Sequence, residues 1–336
     1  MVKTRMRWLV SVAVGAMLLS TALTGFGVAA QAAAKHKTYK VAYLSYALAN
    51  SYDAPMLAAA KAVAGASGVK VVVFDAQNSY TTQVSQLQDV INSGQYQGVI
   101  VQPIYGAALI PTVKRAIKKG IKVVNIDQIL GAKYTTDQIQ VPGLSGNVVF
   151  FPSKIGTQLA TLTNKACAGA NPCKIGLVHN FKGYEPDAAI TAAFTSQIGT
   201  YPSDSIVAEA DGLYQVAAAL TQVQDMLVAH SDLNVIVGSD QDCEGAQSAL
   251  TAAKNTTVKL VCYGASAAGL AAIKSGAWFA DVAQAPATEG QVGMSMVIKA
   301  MKTGKKSGSK NPVAALPNNG ILLQSNVGKF TAEWPG

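Results

Sequence analysis

The feature that most constrains this chain is a regular alternation of two patterns. Short Val- and Ile-rich runs occur at 40–45, 70–75, 98–102, 122–126, 174–179, 205–210, 234–239, 258–263 and 278–283. They are almost continuously apolar, as strands buried on both faces of a parallel sheet are. Between them lie longer stretches with helical periodicity. In 81–92, Val84, Leu87, Val90 and Ile91 share one face of a helix, and Gln83, Gln86 and Asp89 fall opposite. Strands alternating with helices predict an α/β fold of parallel sheets with helices on both sides. The alternation lapses at 130–150, where Gly131, Pro142, Gly143 and Gly146 interrupt it. Four strand runs precede the lapse and five follow it, which predicts two α/β lobes. The Lys-, Gly- and Ser-rich stretch 302–319 reads as a surface loop, and 321–324 as a short last strand.

Composition narrows the function classes. The chain has 336 residues, 50% hydrophobic and 13% charged, enough apolar material for two cores and too much for a disordered protein. A formal charge of +9 raises the question of nucleic acid, but the arginines are only Arg5, Arg7 and Arg115. Base and phosphate recognition leans on bidentate Arg, so no nucleic-acid partner is expected. Residues 1–34 read as a signal peptide. Lys3, Arg5 and Arg7 form a basic start, 8–23 an apolar core, and 25–34 a small-residue tail with cleavage options after Ala30 and Ala34. No cysteine lies near that tail, so the exported protein is expected in the periplasm or extracellular space without a lipid anchor. Cys167 and Cys173 lie close in sequence, as do Cys243 and Cys262. In an exported chain these read as two disulfides, with metal binding as the rival; their spacings match no zinc pattern.

No nucleophile elbow, P-loop or HExxH pattern occurs, and no G-x-G-x-x-G follows the first strand. Instead the turn after that strand carries Tyr46, Asn50, Tyr52 and Asp53 at a strand's carboxyl end, where open α/β sheets bind ligands. His179 ends a strand and reads either as a cleft residue or as a hydrogen-bonded structural one. Asp53 reads either as a ligand contact or as a carboxylate in a helix's first turn.

The order and spacing of 41–53, the Asp75–Asn78 turn, 83–91, 98–103, 123–127, 174–194, 230–240 and 278–286 resemble the type I periplasmic sugar-binding proteins of ABC importers, the ribose-binding-protein-like group. The resemblance covers essentially all of the chain beyond the signal segment. It implies two Rossmann-like lobes joined by three hinge crossings, with ligand trapped between them. Residues 38–145 plus 287–318 would form one lobe and 147–283 plus 320–336 the other, crossing near Gly146, Ala285 and Asn319. It implies a binding protein without cofactor or catalytic residues, acting as a monomer with a small-molecule solute and the membrane permease of an ABC importer. The family's ligand residues fall on Asn50, Tyr52, Asp53, Asp127, Gln128, Tyr214, Asp240 and Gln284. Both sugar-gripping arginines are replaced, by Gln128 and Ile190, and a later Asp by Gly264. The residues left suit the hydroxyls and C–H faces of an uncharged monosaccharide or polyol. An amine-bearing or other non-sugar solute is the second choice. A ligand-presenting sensor would need the same pocket, and an exported hydrolase would need a nucleophile that no motif supplies. Mass spectrometry of the secreted protein is expected to find a new N-terminus just after Ala30 or Ala34, with no acyl group; an intact Met1 would contradict the signal assignment.

Overall fold

Side chains along each strand point alternately to the two faces of its sheet, and this alternation layers the chain. The computed structural model describes residues 38–336; the expected signal peptide, 1–34, lies outside them. The first five strands alternate with three helices: β1 (Lys40–Ser45), α1 (Asp53–Ala66), β2 (Lys70–Asp75), α2 (Tyr80–Ser93), β3 (Gly98–Val101), α3 (Gly106–Lys118), β4 (Lys122–Asp127) and β5 (Gly146–Val149). The next part runs α4 (Pro152–Ala166), β6 (Cys173–His179), α5 (Glu185–Ile198), β7 (Asp204–Asp211), α6 (Val216–Ala229), β8 (Val235–Ser239), α7 (Asp240–Ala252), β9 (Lys259–Gly264), α8 (Ala267–Ser275) and β10 (Ala280–Ala283). Then follow α9 (Pro286–Thr303), β11 (Ser309–Lys310) and β12 (Ile321–Leu322).

Two six-stranded sheets result, ordered β11-β5-β4-β3-β1-β2 and β12-β10-β9-β8-β6-β7. Their pairings are parallel, except that β12 runs antiparallel to β10. In the first sheet Val41, Tyr43, Ile100 and Ile126 pack against Met56 of α1 and Met294 and Val297 of α9. The alternate residues Ala42, Leu44, Val99 and Val123 pack against Leu87 of α2 and Leu109 and Val113 of α3. The second sheet divides in the same way. Ile175, Val235 and Val261 meet Leu159 of α4 and Phe194 of α5, and Ile236, Leu260 and Cys262 meet Val223 of α6 and Ile273 of α8.

The expected α/β class is thus what forms, with differences at the margins. Gly146–Val149, in the stretch read as a lapse, is a strand paired with β4. The chain therefore leaves the first sheet after Val149. Ser309 and Lys310 pair with β5 inside the stretch read as loop. Both strands are too short, and β11 too polar, to show a period. The chain returns toward the first sheet after Ala283 and re-enters the second at Ile321. Both expected cysteine pairs are disulfides. Cys167 at the end of α4 joins Cys173 opening β6, with Cα atoms 5.6 Å apart, and Cys243 of α7 joins Cys262 of β9 at 6.2 Å.

The helix α9 reaches the first sheet through a close backbone contact with α1. A side chain on Gly290 would strike the carbonyl of Met56, so only glycine lets the two helices approach this far. Gly290→Ala is expected to lower unfolding free energy by roughly 1–3 kcal/mol, through forced separation of packed helices. Urea denaturation of the variant measures this, and a midpoint equal to wild type would contradict the close-approach account.

Candidate functional site

In each sheet the chain order reverses beside the first strand. β1 has β2 on one side and β3 on the other; β6 has β7 and β8. The loops leaving the carboxyl ends at such a point diverge and open a crevice. Here the crevices of the two sheets face one cavity of about 280 Å³. Its lining comes from the residues that follow β1, β2, β3 and β4 in one sheet and β6, β7, β8, β9 and β10 in the other, with Trp334 added.

Gln102 organises the first wall. It directly follows β3, and its Nε2 donates to Asp53 Oδ1 at 2.6 Å and to Asp127 Oδ2 at 2.9 Å. Its Oε1 accepts from the Tyr46 amide at 3.0 Å. One amide thus ties the loop after β1, the start of α1 and the end of β4. Behind it Gln83 Nε2 donates to the Gln102 carbonyl at 2.8 Å and Gln83 Oε1 accepts from the Ile104 amide at 3.0 Å. Gln83 is fully buried, off the polar face expected for it, and ties α2 to the backbone after β3. Gln128 Nε2 donates to Asp127 Oδ2 at 3.1 Å. Asn50 Oδ1 accepts from the Tyr52 amide at 2.8 Å and shapes the turn into α1.

The second wall is a tyrosine network. Asn180 Nδ2 donates to Tyr263 Oη at 2.7 Å, and Asn180 Oδ1 accepts from the Tyr214 amide at 2.9 Å. Tyr214 Oη donates to Asp187 Oδ1 at 2.6 Å, and Asp187 Oδ2 accepts from the Phe181 amide at 2.9 Å. Four lining residues hold left-handed backbone: Asn78, Asp127, Leu213 and Tyr214, with φ of 61°, 62°, 60° and 55°. Such conformations cost energy in residues with a side chain and gather where a ligand wall needs a fixed direction.

Of the expected ligand residues, Asn50, Tyr52, Asp53, Asp127, Gln128, Tyr214 and Gln284 line the cavity. Asp240 does not. It is fully buried, and its Oδ2 accepts from the Ser266 amide at 2.7 Å, next to the buried Asp281. Ser239 caps α7 by accepting from the Asp242 amide, so the first helical residue turns into the lobe, and its neighbours Ser239 and Gln241 line the cavity instead. Ile190 packs in the second-sheet core. His179 is structural: Nε2 lies 2.6 Å from Glu209 and Nδ1 3.3 Å from Thr191.

Gln102, Tyr263 and Trp334 were not expected. Gln102 and Tyr263 sit at strand carboxyl ends, so the switch-point rule could have nominated them. Trp334 has no local signal, because it belongs to an aperiodic segment. Its Nε1 donates to the Gly264 carbonyl at 2.8 Å, and its ring meets Tyr52 edge-on at 5.5 Å. A Cβ on Gly264 would lie 2.7 Å from that ring. The absence of a side chain at Gly264 is therefore what admits the indole.

Burial raises the carboxyls around the cavity. Desolvation pushes Asp53 up to about 8 against the pull of Gln102, Asp127 to about 6, Asp187 to about 6 and Asp242 to about 7. Glu289, fully buried on α9 beside Asp127, is raised well above its ordinary value, again by desolvation first. Each group holds its proton to higher pH in the folded protein than in the unfolded chain, whose aspartates titrate near 3.8. Their contribution to stability is therefore present below about pH 4 and is lost as pH rises through about 6 to 8. Calorimetric scans of the ligand-free protein are expected to give a higher Tm near pH 5 than near pH 8.5; a Tm that climbs across this window would contradict the burial account.

Comparison with known proteins agrees with this geometry. The family described as periplasmic binding protein domain matches residues 41–306. The ribose import binding protein of Haemophilus influenzae is 24% identical over 300 residues, 88% of this chain and 96% of that one. A periplasmic solute binding protein of an ABC transporter from Actinobacillus succinogenes, solved with bound D-allose, has a TM-score of 0.74 at 19% identity, covering 87% of this chain and all of the other. A solute binding protein from Bacillus halodurans with bound myo-inositol also has a TM-score of 0.74, at 18% identity over 88% of this chain and 98% of that one. Two parallel-sheet halves facing one cavity, together with a family match over most of the sequence, make this chain a member of the periplasmic binding protein domain family.

Proposed function

We propose that this protein captures a small polyhydroxy compound, a monosaccharide or polyol, and delivers it to the membrane permease of an ABC importer. The observation that carries this reading is the make-up of the cavity wall. Planar polar groups (Asn50, Asp53, Gln102, Asp127 and Gln284) alternate there with aromatic faces such as Tyr52, Tyr214 and Trp334. Planar amides and carboxylates grip vicinal hydroxyls in pairs, and rings cover C–H faces. The solutes bound in the two solved relatives, D-allose and myo-inositol, have this chemistry. Segment 1–34 would export the chain to act as a monomer outside the cytoplasm. The body around the first sheet and the body around the second would close on the ligand by bending at the crossings between them.

Isothermal calorimetry on the mature protein, with a panel of hexoses, pentoses and polyols, tests the reading. At least one neutral or basic member is expected to bind, and sugar phosphates or sugar acids to bind poorly, since carboxylates stand where an anion would sit. Asp127→Ala takes from the Gln102 amide one of its two acceptors and from the Gln128 amide its acceptor. It is expected to weaken binding by about a hundredfold, each tenfold being about 1.4 kcal/mol. A preference for a sugar phosphate over its parent, or unchanged affinity in Asp127→Ala, would overturn the assignment.

A further inference from the structure

Resting on the polyhydroxy reading above, we infer that the solute carries one basic amino group, making it an amino sugar or amino polyol, and that its ammonium binds at Asp53, Asp127 and Gln128. The first observation is a charge imbalance. Asp53 and Asp127 line the cavity at 4% and 2% exposure, and among the described residues no Lys, Arg or His lines it. Glu289 and Asp187 add two more buried carboxyls behind the walls. Lys182 lines the adjoining cavity, where it pairs with Asp211 at 3.0 Å. Buried carboxylates in folded proteins are paired or protonated, and among the described residues no cation pairs with these.

The second observation concerns individual atoms. Gln128 Oε1 is buried with no hydrogen-bond partner among the described residues, and Asp127 Oδ1 is a buried acceptor with only the Tyr52 and Glu289 side chains beside Asp127 to turn to. Both are acceptors on residues of the cavity wall. Neither donor of the Gln102 amide can serve them, because both are engaged by Asp53 Oδ1 and Asp127 Oδ2. The wall therefore asks its occupant for several N–H or O–H donors at one place. A hydroxyl brings one donor and no charge. An ammonium brings three donors and one positive charge, and the rings of Tyr46, Tyr52 and Tyr184 offer it π-faces nearby. A quaternary ammonium has the charge without the donors, and would leave Gln128 Oε1 unsatisfied.

Matched sets separate this inference from the reading beneath it. Each set contains a neutral sugar, its 2-amino-2-deoxy form and the N-acetyl form, in the D-glucose, D-galactose and D-mannose series. Acetylation keeps the nitrogen and removes the charge. Calorimetry on the wild-type protein is expected to show, in at least one series, the free amine binding about tenfold or more tighter than both neutral members. Asp53→Asn, and separately Asp127→Asn, are expected to shrink that ratio toward one; circular dichroism identifies any variant that fails to fold, leaving the other to report. If a neutral member binds as tightly as its amine, or the ratio survives both substitutions, the inference is wrong while the polyhydroxy reading stands. If no member of any set binds, both are wrong.

Discussion

A parallel strand cannot be joined to its neighbour by a tight turn; the chain must cross back over the sheet before the next strand begins. Every loop that follows a strand is therefore delivered to the same edge of its sheet. In this protein both sheets obey that constraint and turn those edges toward one another, so the two sets of loops share a single cavity. The helices on the outer faces fix the sheets, and the hydrogen bonds of Gln102 and Asn180 fix the loops. Each of these two amides sits just past the strand that borders its switch point, and each uses both ends of its side chain. Rigidity at the site thus comes from two residues whose position follows directly from strand order.

Most of the architecture was legible in the alternation of apolar runs, because strands buried on both faces are forced to be continuously apolar. What was illegible had little apolar surface to reveal it. β5 has four residues and β11 two, at the edge of the first sheet. The site divided along similar lines. Asn50, Asp53 and Asp127 were readable because they end a strand, open the helix that follows one, or lie in the turn between the two. Asp240 misled for the same reason: it follows β8, but Ser239 takes the cap and rotates Asp240 inward. Trp334 was beyond reach, since nothing local says that an aperiodic segment returns to a cavity far away in sequence. Its one trace is the missing side chain at Gly264, which becomes meaningful only once the two are seen together.

The cavity is also the least comfortable part of the fold. Asp53, Asp127 and Glu289 lie within a small volume at or near complete burial, and four lining residues carry left-handed backbone. None of this helps the empty protein. It is the pattern expected where a wall is shaped for an occupant, with part of the interaction energy withheld until that occupant arrives.

The order in which the chain visits its two sheets has a consequence for biosynthesis. One face of the first sheet is covered by α1 together with α9, whose Met294 and Val297 come after the whole of β6 to β10. The second sheet in turn receives its edge strand, β12, at Ile321 and Leu322. A nascent chain emerging from its N-terminus therefore cannot complete either half early. The first sheet keeps part of an apolar face open until nearly three hundred residues have been made. Such a chain stays slow to reach its final state while it is being synthesised, and a polypeptide that remains open through most of its synthesis is one that a narrow translocation channel can still thread.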